Sequence, residues 1–292
     1  MADEDLSPAQ KLAIAANFVL NTPPGQTANV MDDVRLLVGP SVLTADKEAS
    51  LLARVNKERF TAVEVEGRKV LLTVHGEMPN GTFLDPKNSC SLDVDHKALT
   101  ATKSAEPLAA AVQTALDGAR GLREAVDREM SSYVSGFLPS AVVTTYGSEG
   151  NGIKVICCVS SQLADLNNYW AGAWRSEWTL EVPKGGSIGT LTGKVVVHVH
   201  YFEDGNVQLD DKAVFQKECP AGADVVGAEF TKLVKASEQN FMAKLEDIYA
   251  TMSDSVLQGL RRRLPVTRTK FDWDKLAVAR LAGDLQKAAA IS

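Results

Sequence analysis

The sequence has few features that would place it outside the cell or in a membrane. Only 4 of its 292 residues are cysteine, and none of the four forms a CxxC pair. Cys157 and Cys158 adjoin within an apolar run, whereas Cys90 and Cys219 stand apart, so we expect reduced packing residues and no disulfide framework. No apolar run is long enough to cross a bilayer, and the acidic N-terminus, MADEDLSPAQ, does not resemble a secretory signal. These absences predict a soluble intracellular protein.

Motifs that carry catalysis, metal binding or cofactor binding are also scarce. The sequence contains no phosphate-binding loop, no GxSxG elbow and no HExxH motif. The glycines of GSEGNG, residues 147–152, lie between two predicted strands, where a hairpin turn explains them. His198 and His200 share one face of a predicted strand, but two ligands are too few for a metal site and no third is constrained to lie nearby. We therefore predict no enzyme, no metal site and no cofactor.

Basic residues are concentrated at the end of an otherwise acidic chain. Residues 259–292 contain eight Lys or Arg and three Asp, a formal charge of +5, while the whole chain carries −6 and the preceding residues therefore −11. This asymmetry indicates a terminal segment directed at an acidic partner, which leaves nucleic acid, an anionic membrane and an acidic protein surface open. Because the basic residues are confined to the tail, and are not spread with aromatics over a groove, we predict no binding to nucleic acid.

Three amphipathic helices joined by short loops are predicted in residues 1–59. Ser7 and Pro8 suit the N-cap and first position of the first helix. The second helix begins near Thr27 and ends at Gly39-Pro40, and the third follows it. Short connections between such helices predict an antiparallel helical stalk.

The hydrophobic period changes to two in residues 60–106, as in FTAVEVEG and KVLLTVHG, which predicts a small β region. Residues 107–263 then read as a long helix from about Pro107 to Phe137, four or five strands joined by short turns, and a second long helix from about Gly222 to Arg263. The turns predict an antiparallel sheet and the fold class α+β, not a doubly wound parallel sheet. At about 1.5 Å per residue the second helix would extend about 60 Å, so we expect a partner to share it.

Three tryptophans recur every fourth residue in WAGAWRSEWTLEV. On a strand, Trp170, Trp174 and Trp178 point to one face. We interpret them as an aromatic stripe that covers a core or the base of a helix, with a ligand platform as the alternative. Arg175 and Glu177 would share the opposite face, where they could pair along the strand.

The last segment, residues 264–292, lies beyond the helix-breaking Pro265. Trp273, Leu281 and Leu285 fall on an i, i+4 stripe, which predicts a basic amphipathic helix. Two interpretations stay open: a helix docked on the body of the protein, or a mobile anchor for a groove on an acidic protein.

Two long stretches resemble the signature segments of a known family. VHYFEDGNV, residues 199–207, and LRRRLPVTRTKFDW, residues 260–273, are similar to those of the F-actin capping protein α subunits, and PPG, DVRLL, FLDP, WRSEW and YATMSDS extend the similarity along nearly the whole chain. The chain is identified as a member of that family. The resemblance implies an α+β fold with an N-terminal helical stalk, a small β region, an antiparallel sheet overlaid by a long helix, and a C-terminal amphipathic tentacle helix.

The resemblance also implies a function. Such α subunits form an obligate heterodimer with a related β subunit through a joint sheet and antiparallel long helices. The heterodimer caps the barbed ends of actin filaments independently of calcium and blocks subunit addition and loss. This implies a cytoplasmic, cytoskeletal protein whose further partners include capping regulators. Two alternatives stay open: a fixed barbed-end cap within a larger assembly such as dynactin, and a phosphoinositide-regulated module near a membrane.

By position, the resemblance assigns the leading actin contacts to Arg262 and Arg268. Gln258 stands where many animal members have lysine, and Arg263 stands where glutamine is common. Trp273, Leu276 and Leu281 would be apolar anchors. The full predicted actin-binding set is Arg261, Arg262, Arg263, Arg268, Lys270, Trp273, Lys275, Leu276, Arg280 and Leu281.

Overall fold

The computed structural model describes residues 6–138, 140–203 and 207–251. The described helices are α1 Pro8–Leu20, α2 Thr27–Val38, α3 Ala45–Arg59, α4 Ala110–Phe137 and α5 Val226–Thr251, with a short 3₁₀ helix at Leu166–Asn168. The strands are β1 Ala62–Val65, β2 Arg68–Leu71, β3 Phe83–Asp85, β4 Cys90–Asp95, β5 Thr100–Lys103, β6 Val142–Glu149, β7 Gly152–Asp165, β8 Trp170–Pro183, β9 Ile188–Tyr201 and β10 Val207–Pro220. The α+β class is confirmed.

Local sequence signals explain the first three helices. Ser7 and Gln10 form a reciprocal capping box at the start of α1, with Pro8 at the first helical position. Gly39 ends α2 with a positive φ of 80°, which favours glycine. The inner faces of the helices share a core of Ala15, Val19, Met31, Val34, Leu43, Leu51, Leu52 and Val55. The three predicted helices are therefore present, while their separation as a stalk stays a prediction.

The small β region is a five-stranded sheet in the order β2-β1-β5-β4-β3. Its neighbours are antiparallel except for β1 and β5, which are parallel. Alternate residues of these short strands supply a core of Val63, Val65, Val70, Leu72, Phe83, Cys90 and Leu92. The sheet predicted from the two-residue hydrophobic period is thus confirmed.

The larger sheet has the order β10-β9-β8-β7-β6, and all of its neighbours are antiparallel, as the sequence predicted. Residues 204–206, between the last two strands, lie outside the described residues. The apolar pattern NVQL, residues 206–209, predicts only a short last strand, whereas β10 runs for 14 residues from Val207 to Pro220. Its inward side chains include Phe215 and the buried Cys219, which keep the strand in register with β9.

Helix α4 packs on β6 and β7 of the larger sheet, and the start of α5 packs against α4. A Cβ added to Gly147 of β6 would lie 3.1 Å from the side chain of Ala119 in α4. Gly227, near the start of α5, lies so close to α4 that an added Cβ would be 2.6 Å from the Ala125 carbonyl oxygen. Among the described helices, none is long and apolar enough to cross a membrane.

Two of the three tryptophans are buried on one face of the larger sheet. Trp178 is fully buried and stacks on Phe215 with ring centroids 5.5 Å apart, while Trp174 meets Phe137 of α4 edge to face at 6.2 Å. Trp170 is partly exposed. The stripe therefore packs a core and a helix end, as interpreted from the sequence.

The chain divides into two compact units, Met1–Ser237 and Glu238–Ser292, and the division falls within α5. The second unit is described only through Thr251. Any continuation of α5 toward Arg263 lies outside the described residues.

Candidate functional site: a sheet edge and a polar sheet face

The predicted actin-contacting residues all lie after Thr251. The ten positions between Arg261 and Leu281, together with Gln258 and the predicted tentacle helix of residues 264–292, are outside the described residues. Their role in binding stays a prediction. The described residues instead present two surfaces of the larger sheet that can bind other groups.

The first surface is the outer edge of β10, which we call the free edge. Among the described strands, β10 pairs only with β9, through a continuous register from Val207 to Pro220. Alternating main-chain N–H and C=O groups on its other side therefore face away from the sheet. Such a row is a template for pairing with another strand.

The free edge combines exposed charged side chains, such as Lys212 and Glu218, with exposed apolar ones. Val214 is 76% exposed near the middle of β10, and Val207 is 46% exposed at its start. Edges of monomeric proteins are usually short, bulged or blocked by proline. The only proline of β10 is Pro220, its last residue, and the register with β9 shows no bulge. A long, regular and partly apolar edge is typical of an interface.

The second surface, which we call the polar face, is the part of the larger sheet around Arg175 and Glu177 of β8. Arg175 of β8 donates to the main-chain oxygen of Glu58, at the end of α3, and its expected partner Glu177 instead lies 3.2 Å from His75. The pairing of Arg175 with Glu177 along the strand is therefore not what the structure shows. Each side chain links β8 to a different preceding segment.

Arg59, at the end of α3, connects this helix to the segment between α1 and α2. Its guanidinium donates to the main-chain oxygens of Leu20 and Thr22 and to the hydroxyl of Thr27. Burial lowers the pKa of Arg59, and nearby Arg175 adds to that effect. Two partly buried guanidinium groups thus hold the first helices against the sheet by hydrogen bonds to neutral acceptors.

The histidine pair of the HVH motif does not form a metal site with a third described ligand. His198 lies 3.4 Å from Asp210 on the neighbouring strand, and His200 is buried and stacks on Phe202 at 4.8 Å. Burial lowers the pKa of His198, and Arg59 and Arg175 act in the same direction against Asp210. Both histidines thus contact residues of neighbouring segments, Asp210 and Phe202.

A different set of residues does bring metal-binding atoms together. The Nε2 or Nδ1 of His75, the Sγ of Cys158 and a carboxylate oxygen of Glu177 all lie within 4.8 Å of one another. Burial, with Cys157 and Glu177, raises the pKa of the Cys158 thiol well above its ordinary value, while the contact with His75 holds the pKa of Glu177 below its own. No local motif marks this group, because its members are 83 and 19 residues apart in the sequence.

The whole-chain comparisons agree with the fold. The sequence profile of the F-actin capping protein alpha subunit family matches residues 15–284. The F-actin-capping protein subunit alpha of Dictyostelium discoideum is 34% identical over 278 residues, covering 94% of this chain and 97% of that protein. The subunit of the same name from Caenorhabditis elegans is 30% identical over 289 residues, covering 97% and 99%.

A solved structure extends the likeness to three dimensions. The homodimeric actin capping protein alpha subunit from Plasmodium berghei superposes with a TM-score of 0.71, covering 89% of this chain and 98% of that one. Its sequence identity is only 17%, so this likeness concerns the fold. Since the family profile and the relatives cover nearly the entire sequence, this chain belongs to the F-actin capping protein alpha subunit family.

Proposed function

We propose that this protein is the α subunit of a heterodimeric F-actin capping protein. The heterodimer occupies the barbed end of an actin filament, independently of calcium, and blocks the addition and loss of actin subunits in the cytoplasm. The observation that carries the proposal is the family match over residues 15–284, which includes most of the basic tail. Relatives that carry the name F-actin-capping protein subunit alpha match this chain almost end to end.

Capping of this kind requires only that the protein occupies the filament end, and no covalent bond is made or broken. The tail of residues 259–292 carries +5, and the rest of the chain carries −11. A basic segment speeds and orients the encounter with an acidic surface, and buried apolar anchors then slow dissociation. We assign the first role to Arg262 and Arg268 and the second to Trp273, Leu276 and Leu281.

The partner in the heterodimer is a related β subunit, and we assign its docking to the free edge of β10. An edge strand of 14 regular residues offers enough main-chain donors and acceptors to extend the sheet across two subunits. Exposed Val214 supplies apolar area beside that row. In this arrangement, a strand of the β subunit pairs with the main-chain N–H and C=O groups on the outer side of β10.

An elongation assay with pyrene-labelled actin tests the activity directly. The full chain, co-expressed with a β subunit, should stop growth from filament seeds with free barbed ends. The same heterodimer lacking residues 265–292 should cap far more weakly, because the tail is removed while the body is unchanged. Undiminished elongation with the full heterodimer would overturn the proposed function, and equal capping by the two forms would overturn the role of the tail.

The cluster Arg261, Arg262 and Arg263 also favours regulation by phosphoinositides. Adjacent guanidinium groups suit multivalent phosphate headgroups, and their occupation would remove the charges that meet actin. Vesicles containing a polyphosphorylated inositol lipid should relieve capping in the same assay, whereas phosphatidylserine vesicles of equal surface charge should relieve it less. Equal relief would indicate nonspecific attraction to an anionic surface.

A further inference from the structure

Three side chains with different metal-binding atoms meet on the polar face of the larger sheet. His75 comes from the turn between β2 and β3, Cys158 from β7 and Glu177 from β8. Cys158 and Glu177 are direct partners in the antiparallel register of β7 and β8, so their side chains leave the sheet side by side. His75 Nε2 lies 3.2 Å from a carboxylate oxygen of Glu177.

The main chain that carries His75 is held in place. The Oγ1 of Thr73 accepts hydrogen bonds from the backbone N–H groups of His75, at 3.2 Å, and of Gly76, at 3.3 Å. The same hydroxyl donates to the phenol oxygen of Tyr146 at 3.1 Å. Gly76 has no side chain to push Tyr146 away, since an added Cβ would lie 2.7 Å from that oxygen. The turn is therefore fixed against β6, which places the imidazole near Cys158 and Glu177.

The atoms offered are an imidazole nitrogen, a sulfur and a carboxylate oxygen. This mixed set suits Zn²⁺, which takes Cys, His and Glu ligands at about 2.0–2.3 Å, and it suits the hard cations Mg²⁺ and Ca²⁺ poorly. In a tetrahedral site, ligand atoms are about 3.3–3.6 Å apart, so the present spacing of up to 4.8 Å needs contraction by about 1 Å. Rotation of the His75 and Glu177 side chains supplies such a movement.

Access and charge are consistent with a bound divalent cation. The Cys158 side chain and the Nε2 atom of His75 are buried, but the side chains of His75 and Glu177 are 24% and 33% exposed, so their rotation can admit an ion from that side. When the sulfur–metal bond forms, the thiol loses its proton to solvent. The resulting thiolate and the Glu177 carboxylate together balance the charge of the cation.

We propose that His75, Cys158 and Glu177 form a Zn²⁺ site that joins the turn between β2 and β3 to strands β7 and β8. Three protein ligands leave one coordination position for water. The site links the small sheet to the larger one, so the bound ion stabilises their junction. This proposal departs from the prediction of no metal site, which rested on the HVH histidines.

The test uses the full chain in complex with its β subunit, stripped of metal by a chelator. Zn²⁺ binding is measured by equilibrium dialysis, and Co²⁺ serves as a spectroscopic probe. We expect one more equivalent of tightly bound Zn²⁺ in the wild type than in Cys158→Ala or His75→Gln. A thiolate-to-cobalt charge-transfer band should appear in the wild type only, and the melting temperature of the wild type should rise with added Zn²⁺.

Cys157→Ala is the matched control, because Cys157 is equally buried, adjoins Cys158 and faces the opposite side of β7. The Cys157→Ala protein should still bind the additional equivalent of Zn²⁺ and should still show the thiolate-to-cobalt band. Equal Zn²⁺ stoichiometry in the Cys158→Ala and Cys157→Ala proteins would overturn the site, and so would a wild type without a thiolate–cobalt band. None of these readouts involves actin, so failure here is separate from failure of the proposed capping function.

Discussion

At the residue scale, Trp178 fits into the sheet only because its neighbour across the strands is glycine. Trp178 of β8 is paired with Gly193 of β9, and a Cβ on that glycine would lie 2.1 Å from an atom of the indole ring. Phe215 of β10, which also pairs with Gly193, stacks on the ring. The fully buried tryptophan cannot move away without losing that stack. The glycine at position 193 of this central strand is thus explained by the close approach of the Trp178 indole ring, and not by a bend in the strand.

We expect Gly193→Ala to lower the free energy of unfolding of the heterodimer by about 1–3 kcal/mol, since the added methyl overpacks a buried site. Gly172→Ala on β8 is the control, because its added Cβ would meet nothing closer than 3.9 Å and should change stability little. Urea denaturation at one protein concentration measures both. A smaller side chain at residue 178, as in Trp178→Leu, should make the Gly193→Ala change much less costly. Additive losses in the double variant would contradict the steric explanation.

The pH dependence of stability has an identifiable residue-scale source in His198. Burial lowers the pKa of His198 below its ordinary 6.5, and burial also lowers the pKa of His96. In the unfolded chain both histidines bind protons more readily than in the folded chain. Acid therefore favours unfolding. The contribution of the two neutral histidines to the free energy of unfolding is fully present above about pH 6.5, and it is lost as the pH falls from there through their lowered folded pKa values.

The melting temperature of the heterodimer should accordingly fall between about pH 7.5 and pH 5.5. His198→Gln should flatten this slope, because glutamine cannot take up the proton. The carboxyl groups whose pKa values are depressed, such as that of Glu48, titrate below this window and leave it unaffected. An unchanged slope in His198→Gln would show that this histidine is not the source.

At the element scale, β10 illustrates what the sequence could and could not predict. The helices α1 to α3 and the antiparallel order of the larger sheet followed from caps, turns and hydrophobic period. The length of β10 did not, because DDKAVFQKECP, residues 210–220, has a charged outer side and reads as polar. Its inward residues, Ala213, Phe215 and Cys219, alternate correctly, but an edge strand needs only one apolar side.

The candidate metal site could not be predicted from the sequence, for a related reason. His75 belongs to the small β region, and Cys158 and Glu177 become neighbours only through the register of β7 with β8. Sequence reasoning weighed His198 and His200 because they adjoin along the chain. Distant ligands are brought together by strand pairing, which a single sequence does not reveal.

The free edge of β10 gives a prediction at the same scale. Val214→Lys should leave the stability of the chain nearly unchanged, because this side chain is already 76% exposed. It should weaken association with the β subunit by about tenfold or more, since lysine protects a strand edge against pairing. Ile188→Lys is the matched control: it is 55% exposed but lies on β9, which has strands on both sides. Titration of purified subunits measures both, and equal effects of the two lysines would contradict docking at the edge.

At the scale of the whole molecule, charge is divided between an acidic body and a basic tail. The formal charges are −11 for residues 1–258 and +5 for residues 259–292. Under the proposed function, an acidic filament end would repel this acidic body, so attraction would depend on the tail reaching that end first. Long-range attraction of this kind acts on the association rate and is weakened by salt.

We therefore expect the pair Arg262→Ala and Arg268→Ala to slow association with barbed ends and to leave dissociation less affected, because the apolar anchors are intact. The decline of the association rate with ionic strength should also become shallower, since two of the eight basic groups of the tail are gone. The control pair Lys87→Ala and Lys184→Ala removes the same charge from exposed positions on the body and should retain the steeper decline. Capping kinetics measured over a salt series decide between them: identical slopes in the two double variants would mean that net charge matters and the position of the arginines does not.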